Sequence, residues 1–563
     1  MTFIMKNINK LLLSGLLLGS AMVMTSCGED YLETKPTDSI SDAFALANVD
    51  NAYKTLNGVA KTMTIQHSNF SGFCGESAII RLYENYPAQD YYYNQYAAGW
   101  SVLHNQQFHN NVSSIYDSYA WYYYYQIITQ ANVIINRIDN AAGSEADKKF
   151  IKASALTFRS YGYEKLLHYY CVRWKDSNNG TAQGLPLRID ESIDDLAPST
   201  MAEVYAQIYK DLDEAITLFN ESGIDRAAGD CWTPNLNVAH AVYARAALAK
   251  EDYQTALNHA KLAEVGYPLM NNEAYGAGFC RPTSEWIFGS YGSADENNWY
   301  WSYGTQYSCN GYYANNSQNG AGTIGRELIN RIPDEDFRKS LFLTESGLGI
   351  DANDPNQVEH TFGYIGLTAD LQLADREAYM KAANYVEEHA ASGLDAPYQY
   401  GVYHLGAHLK FYVFDTPGVS YLAYIRTSEM LLIEAECYYF LNQPDNARDA
   451  LVRLNAGSGR NPNYKCTKID EKGEEKPLTG QDLFNEIADY RALELWGEGF
   501  QWSDLKRWKL PVVRHRFDEG GNAHASVAVT IQPNEANNWT WEVPKAETDY
   551  NGGYTDINGP TAE

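Results

Sequence analysis

Apolar residues recur at three- and four-residue separations through long stretches of the chain, and this spacing predicts a mainly α fold. The pattern is clear in "DNAYKTLNGVAKTM" from Asp50, "YDSYAWYYYYQIITQANVIINRI" from Tyr116 and "KKFIKASALTFRSYGYEKLLHYY" from Lys148. In "STMAEVYAQIYKDLDEAITLF", Ser199 or Thr200 is placed to cap a helix whose first turn holds Glu203. Its apolar stripe runs through Val204, Ile208, Leu212 and Ile216. Two further segments, 237–264 and 421–454, each read as a long helix, a short turn and a second helix. The turns carry Asp252 and Pro444-Asp445, and the second helices open on Ala256 and Ala260 or on Ala447 and Ala450. Small residues at these places let helices approach closely, as in tetratricopeptide repeats; the match to that repeat is partial, and an ordinary helical hairpin is the plainer alternative.

The N-terminus breaks the pattern. Lys6 and Lys10 precede an apolar run over residues 11–24 that is too short for a comfortable membrane span and ends in "MTSC". A small residue before Cys27, followed by Gly28, Glu29 and Asp30, has the form of a bacterial lipoprotein signal. The expected organisation is a signal peptide over 1–26, a lipidated tether over 27–40 beginning at Cys27, and one compact body over 41–563. Such an anchor would hold a soluble body at a membrane surface.

Charge narrows the set of partners. The 563 residues carry a formal net charge of −28, which argues against a nucleic-acid backbone as the main partner. It also makes strongly anionic ligands a poor first expectation, although a local basic patch would reverse the average field. Eight cysteines are too few to staple this length. They show neither a C-x-x-C pair nor zinc-site spacing, so buried thiols fit better than a disulfide framework. The unusual count is 45 tyrosines, which with tryptophan and phenylalanine brings aromatics to 13%, more than a core alone is expected to use.

Many of these rings fall in two stretches rich in glycine and asparagine, 71–107 and 289–322, which read as long loops. A sugar presents C–H groups on one face and hydroxyls around its rim, so an aromatic ring flanked by amides suits it. Trp100, Trp299, Trp301, Tyr303 and Tyr307 are therefore candidate glycan platforms; the plainer reading is that they fill the layer between loops and helices. No H-E-x-x-H, G-x-S-x-G, phosphate loop or dinucleotide fingerprint is present. The segment "DANDPNQVE" departs from a calcium loop at Pro355 and Asn356. No catalytic residue, metal or cofactor is expected. A surface glycoside hydrolase using a carboxylate pair, or a peptide-binding or structural protein on a helical repeat scaffold, remain the alternatives.

In order along the chain, "DYLETKP", "FIKASALTFRSYGYEKLLHYY", "GLPLR", "SEWIFGS", "DFRKSLF", "YIRTSEMLLIEAE" and "ELWGEGFQWSDLKRW" resemble the SusD/RagB-like outer-membrane glycan-binding lipoproteins of the Bacteroidetes. The resemblance implies a helical, tetratricopeptide-like scaffold with an irregular, loop-rich binding half. It further implies no catalysis, oligosaccharide or polysaccharide as ligand, and a TonB-dependent SusC-like transporter as partner. Acidic residues after the lipidated cysteine imply display at the cell surface. Glu429, Glu434, Glu436, Glu494, Glu498, Asp504, Lys506 and Arg507 match charged positions that hold the family's helices and loops together. Gln501 departs from the family pattern, which often has arginine there, so one ion pair is expected to be missing.

Overall fold

The structure is a computed structural model. It describes residues 45–554 apart from 68–69, 71, 93–99, 108–110, 292–301, 312–321, 355–356, 358–375, 395–402, 414–419 and 534–538. The signal peptide, Cys27 and the tether lie outside the described residues, as do Trp299 and Trp301.

The longer helices are α1 (Val49–Thr62), α2 (Ile115–Arg137), α3 (Glu145–Tyr170), α4 (Met201–Ser222), α5 (Leu236–Ala249) and α6 (Tyr253–Ala263), followed by α7 (Arg376–His389), α8 (Thr427–Phe440), α9 (Pro444–Val452), α10 (Gly480–Glu494) and α11 (Gln501–Trp508). Among the described residues, none is long and apolar enough to cross a membrane. The α4 helix starts where its cap signal lies: Thr200 accepts the amide of Glu203, and the Glu203 carboxylate accepts the amide of Thr200. It stops at Gly223, whose φ of 63° supplies the left-handed turn.

Successive helices pack pairwise, α2 on α3, α3 on α4, α4 on α5 and α5 on α6, and α6 then meets α8, which packs on α9. The two sequence-matched pairs are thus in direct contact. Ala256, Ala260, Ala447 and Ala450 are all buried, the close-approach role their size suggested. The second pair begins later than expected: Ala423–Arg426 is a strand, antiparallel to Trp286–Gly289, and the helix opens only at Thr427.

Strands are short. The pairs are β1 (Tyr91–Tyr92) with β3 (Thr323–Ile324), β2 (Trp286–Gly289) with β4 (Ala423–Arg426), β5 (Thr467–Ile469) with β6 (Glu475–Pro477), and β7 (Val512–Val513) with β8 (Thr530–Ile531), all antiparallel. One hydrophobic core runs from α1 to α11, and a smaller cluster gathers Leu343, Tyr385, Leu405, Leu409 and Tyr412. The seven cysteines from Cys74 to Cys466 are buried thiols outside any disulfide.

Much of the tyrosine excess is interior. Tyr123, Tyr124 and Tyr161 donate their hydroxyls to buried Glu76 at 3.0, 3.0 and 2.7 Å, and Tyr169 donates to buried Glu84 at 2.9 Å. A tyrosine can fill apolar volume and satisfy a buried carboxylate at once, which is why this core uses more of them than its hydrophobicity requires.

A charge network closes the C-terminal half. Arg426 on β4 reaches Glu285 at 2.7 Å, Glu494 at 2.6 Å and Glu498 at 2.7 Å. Arg338 binds Asp336 at 2.6 Å and Glu494 at 2.8 Å, Arg460 lies 3.2 Å from Glu285, and Lys410 lies 2.7 Å from Glu498. Four cations therefore face four carboxylates in a dry interior, and their balance makes the burial tolerable. Burial by itself would raise the Glu494 carboxyl; Arg460, Arg426, Arg338 and Lys410 overcome it and hold the group well below its usual range. Nearby pairs of similar character are Arg245 with Glu429 at 2.7 Å, Arg507 with Glu436 at 2.6 Å, and Arg491 with Asp504 at 2.5 Å, whereas Glu434 pairs with the exposed Arg453 at 3.2 Å. Lys506 instead donates to the carbonyls of His168 and Cys171, both at 2.7 Å. Gln501 exchanges two hydrogen bonds with Asp90, at 2.6 and 2.8 Å, so an amide makes this link without a charge.

Candidate functional site

The stretch read as a loop over 71–107 is in part helical. Gly75–Ile79 forms a helix that continues as a wider, π-type turn over Ile80–Asn85. Every residue of this pair of turns is buried, so no amphipathic stripe marks it in the sequence. Its start needs glycine: Gly75 has φ of 41°, and a Cβ there would sit 1.9 Å from the Met63 carbonyl oxygen.

This buried turn places Arg81 against Trp100. Trp100 precedes a short helix, Ser101–His104, and is half-buried. Its ring meets Tyr86 at 5.6 Å and Tyr116 edge-on at 6.2 Å, and the Arg81 guanidinium carbon is 5.7 Å from the ring centroid. Arg81 is only 4% exposed, yet its Nε and Nη1 have no hydrogen-bond partner. His104, fully buried, stacks on Tyr86 at 5.0 Å, and neither of its ring nitrogens finds a well-aligned partner. Burial, helped by the charge of Arg514, holds the imidazole well below its ordinary pKa, so it is neutral. Gln106, equally buried, has a left-handed φ of 55° and an amide whose oxygen and nitrogen are both unpaired. Unsatisfied buried polar groups and strained backbone both concentrate at functional sites, and both occur here within a few residues of the half-buried Trp100.

The other candidates sort differently. Tyr303 and Tyr307 lie on a short helix, Tyr303–Tyr307, and are 6% and 1% exposed. Tyr307 stacks on Tyr91 at 5.2 Å with planes 8° apart, Tyr91 stacks on Tyr86 at 6.1 Å, and Tyr86 supports Trp100. The expectation that Tyr303 and Tyr307 offer open platforms is therefore corrected: they back the site as a column of packed rings. Tyr303 packs on Tyr307 and Phe411, and Tyr307 on Tyr91 and Phe411. The sequence reading missed Arg81, His104 and Gln106. The available signal was an arginine and a histidine inside an aromatic stretch, which spacing alone does not bring together.

Comparison with known proteins agrees with this architecture. The profile described as "SusD family" matches residues 245–559, more than half of the chain. The chain belongs to the SusD family. A second profile, described as "Starch-binding associating with outer membrane", matches residues 30–247 of this SusD-family protein. Among solved structures, it is similar to a SusD-like carbohydrate binding protein from Bacteroides vulgatus, with 21% identity, TM-score 0.67 and coverage of 92% of this chain and 99% of the other. A SusD superfamily protein from the same organism gives 19% identity, TM-score 0.66 and coverage of 92% and 99%. One from Bacteroides thetaiotaomicron gives 19%, 0.61, 90% and 99%. These likenesses show the shared fold. No curated protein sequence matches the chain. The SusD/RagB family is Bacteroidetes-associated, and its members are carbohydrate-binding proteins of the outer membrane.

Proposed function

We propose that this SusD-family protein is a non-catalytic, surface-facing lipoprotein that captures an oligosaccharide at the Trp100 face and delivers it to a TonB-dependent SusC-like transporter. The observation that carries the reading is the half-buried Trp100 ring with the unpaired donors of Arg81 against it. A sugar ring stacks on the indole beside the Arg81 guanidinium. The helix pairs, read as tetratricopeptide-like units, supply the rigid scaffold. Trp299 and Trp301 stay as proposed additional platforms.

Calorimetry over a panel of oligosaccharides tests capture. Trp100→Ala is expected to weaken binding by about 1–3 kcal/mol, the range of a central aromatic contact, with the unfolding midpoint little changed. Unchanged affinity would remove Trp100 from the site. Product release from a bound oligosaccharide by the purified protein would favour the hydrolase reading instead.

The anchor is tested separately. Cys27→Ala is expected to move the protein from the membrane fraction to the soluble fraction and to abolish incorporation of labelled fatty acid. Retention of both membrane association and labelling would refute lipidation at Cys27.

A further inference from the structure

Arg81 poses a charge problem that a neutral sugar leaves unsolved. Its guanidinium is almost wholly buried, its Nε and Nη1 are unpaired, and no described carboxylate forms an ion pair with it. That sets it apart from Arg159, Arg245, Arg338 and Arg426, each of which is buried against an acid at 2.8 Å or less. The protein has 71 acidic side chains to draw on and uses them for those arginines. A buried charge left without a partner costs several times what a paired one does.

A second cation lies close by. Arg514 passes beneath the same layer, donating to the carbonyls of Ala88 at 2.8 Å, Pro87 at 2.9 Å and His104 at 2.8 Å. His104, whose carbonyl Arg514 meets, has a neutral imidazole. Two buried guanidinium groups thus lie close to Trp100 in a protein whose net charge is negative. At physiological salt the distant surface acids are screened over about 8 Å, whereas a group in contact with Arg81 is not.

We infer that the Trp100 site selects acidic oligosaccharides, with a sugar carboxylate or sulfate seated on Arg81 while the ring stacks on the indole. This rests on the proposed capture role of the same site and names its ligand class. A guanidinium offers two faces with parallel N–H groups, Nε with Nη2 and Nη1 with Nη2, either of which matches a carboxylate in a bidentate pair.

The test uses the whole mature protein in calorimetry against oligogalacturonides and hyaluronan oligosaccharides, each compared with its own methyl ester, and against a neutral maltooligosaccharide. At least one free acid is expected to bind about tenfold to a hundredfold more tightly than its ester, the span of one charge-assisted contact. That margin should shrink as salt is raised. Arg81→Gln should bring acid and ester to equal affinity while leaving ester binding in place. Should Arg81→Gln fail to fold, the acid-to-ester ratio of the wild-type protein decides the matter. Equal binding of acids and esters, or binding of the neutral sugar alone, would overturn the acidic preference and leave the capture role standing. Absence of binding by any of these sugars, acidic or neutral, would overturn both.

Discussion

Arg426→Met is expected to destabilise the fold by about 3–5 kcal/mol, the cost of leaving buried carboxylates without their partner. Methionine fills much of the same volume, so the loss reports charge rather than a cavity. Glu285, Glu494 and Glu498 would each lose their link to β4. Adding Glu494→Gln to the variant is expected to recover part of the loss, because one orphaned charge is then removed; urea unfolding of wild type, single and double variants measures both effects. A loss below about 1 kcal/mol would show that the network relaxes around the missing guanidinium or admits water. The same network sets the acid limit of stability. The Glu494 and Glu285 carboxyls are held below their ordinary values in the fold, so their contribution is present above the unfolded-state pKa and drains away as pH falls through the lower folded one.

Asp117→Asn is expected to stabilise the protein, increasingly as pH rises. Asp117 is fully buried on α2, and neither carboxylate oxygen has a well-aligned hydrogen-bond partner. Burial, followed by the nearby charge of Glu542, pushes its pKa up from 3.8 to about 9. The folded state therefore keeps a proton that the unfolded chain has released, and wild-type stability falls as pH climbs from the unfolded value toward the folded one. Asparagine does not titrate, so the variant should gain on wild type by up to about 1.4 kcal/mol per pH unit across that window. Denaturation midpoints at pH 5 and pH 8 (roughly the middle of the window) give the answer. A difference between the two proteins that does not change with pH would mean that Asp117 is ionised in the fold.

The helical scaffold was legible because its signals are local. The three- and four-residue stripe of α4, its cap at Thr200 with Glu203, and the alanines that let α6 and α9 pack closely all depend on neighbours a few residues away. The turn carrying Arg81 was illegible for the opposite reason: it is buried on every side, so apolar and polar residues follow no period. Tyr303 and Tyr307 show the same limit from another direction. An aromatic residue among glycines reads alike whether its ring meets solvent or, as here, a column of other rings.

Charge shows most clearly what the chain settled alone and what waited for its folding. Sequence by itself determined the net charge of −28, the helical periodicity and the ordered motifs of the SusD family, all of them sums or short-range patterns. Only the tertiary structure decided which arginines would meet acids. It brought Arg426 to Glu285, Glu494 and Glu498, up to 141 positions away along the chain, and left Arg81 beside Trp100 with none among the described residues. Electrostatic energy in a dry interior is governed by the few groups within ion-pairing distance, so the average charge of a chain does not fix the sign of the field at any one site.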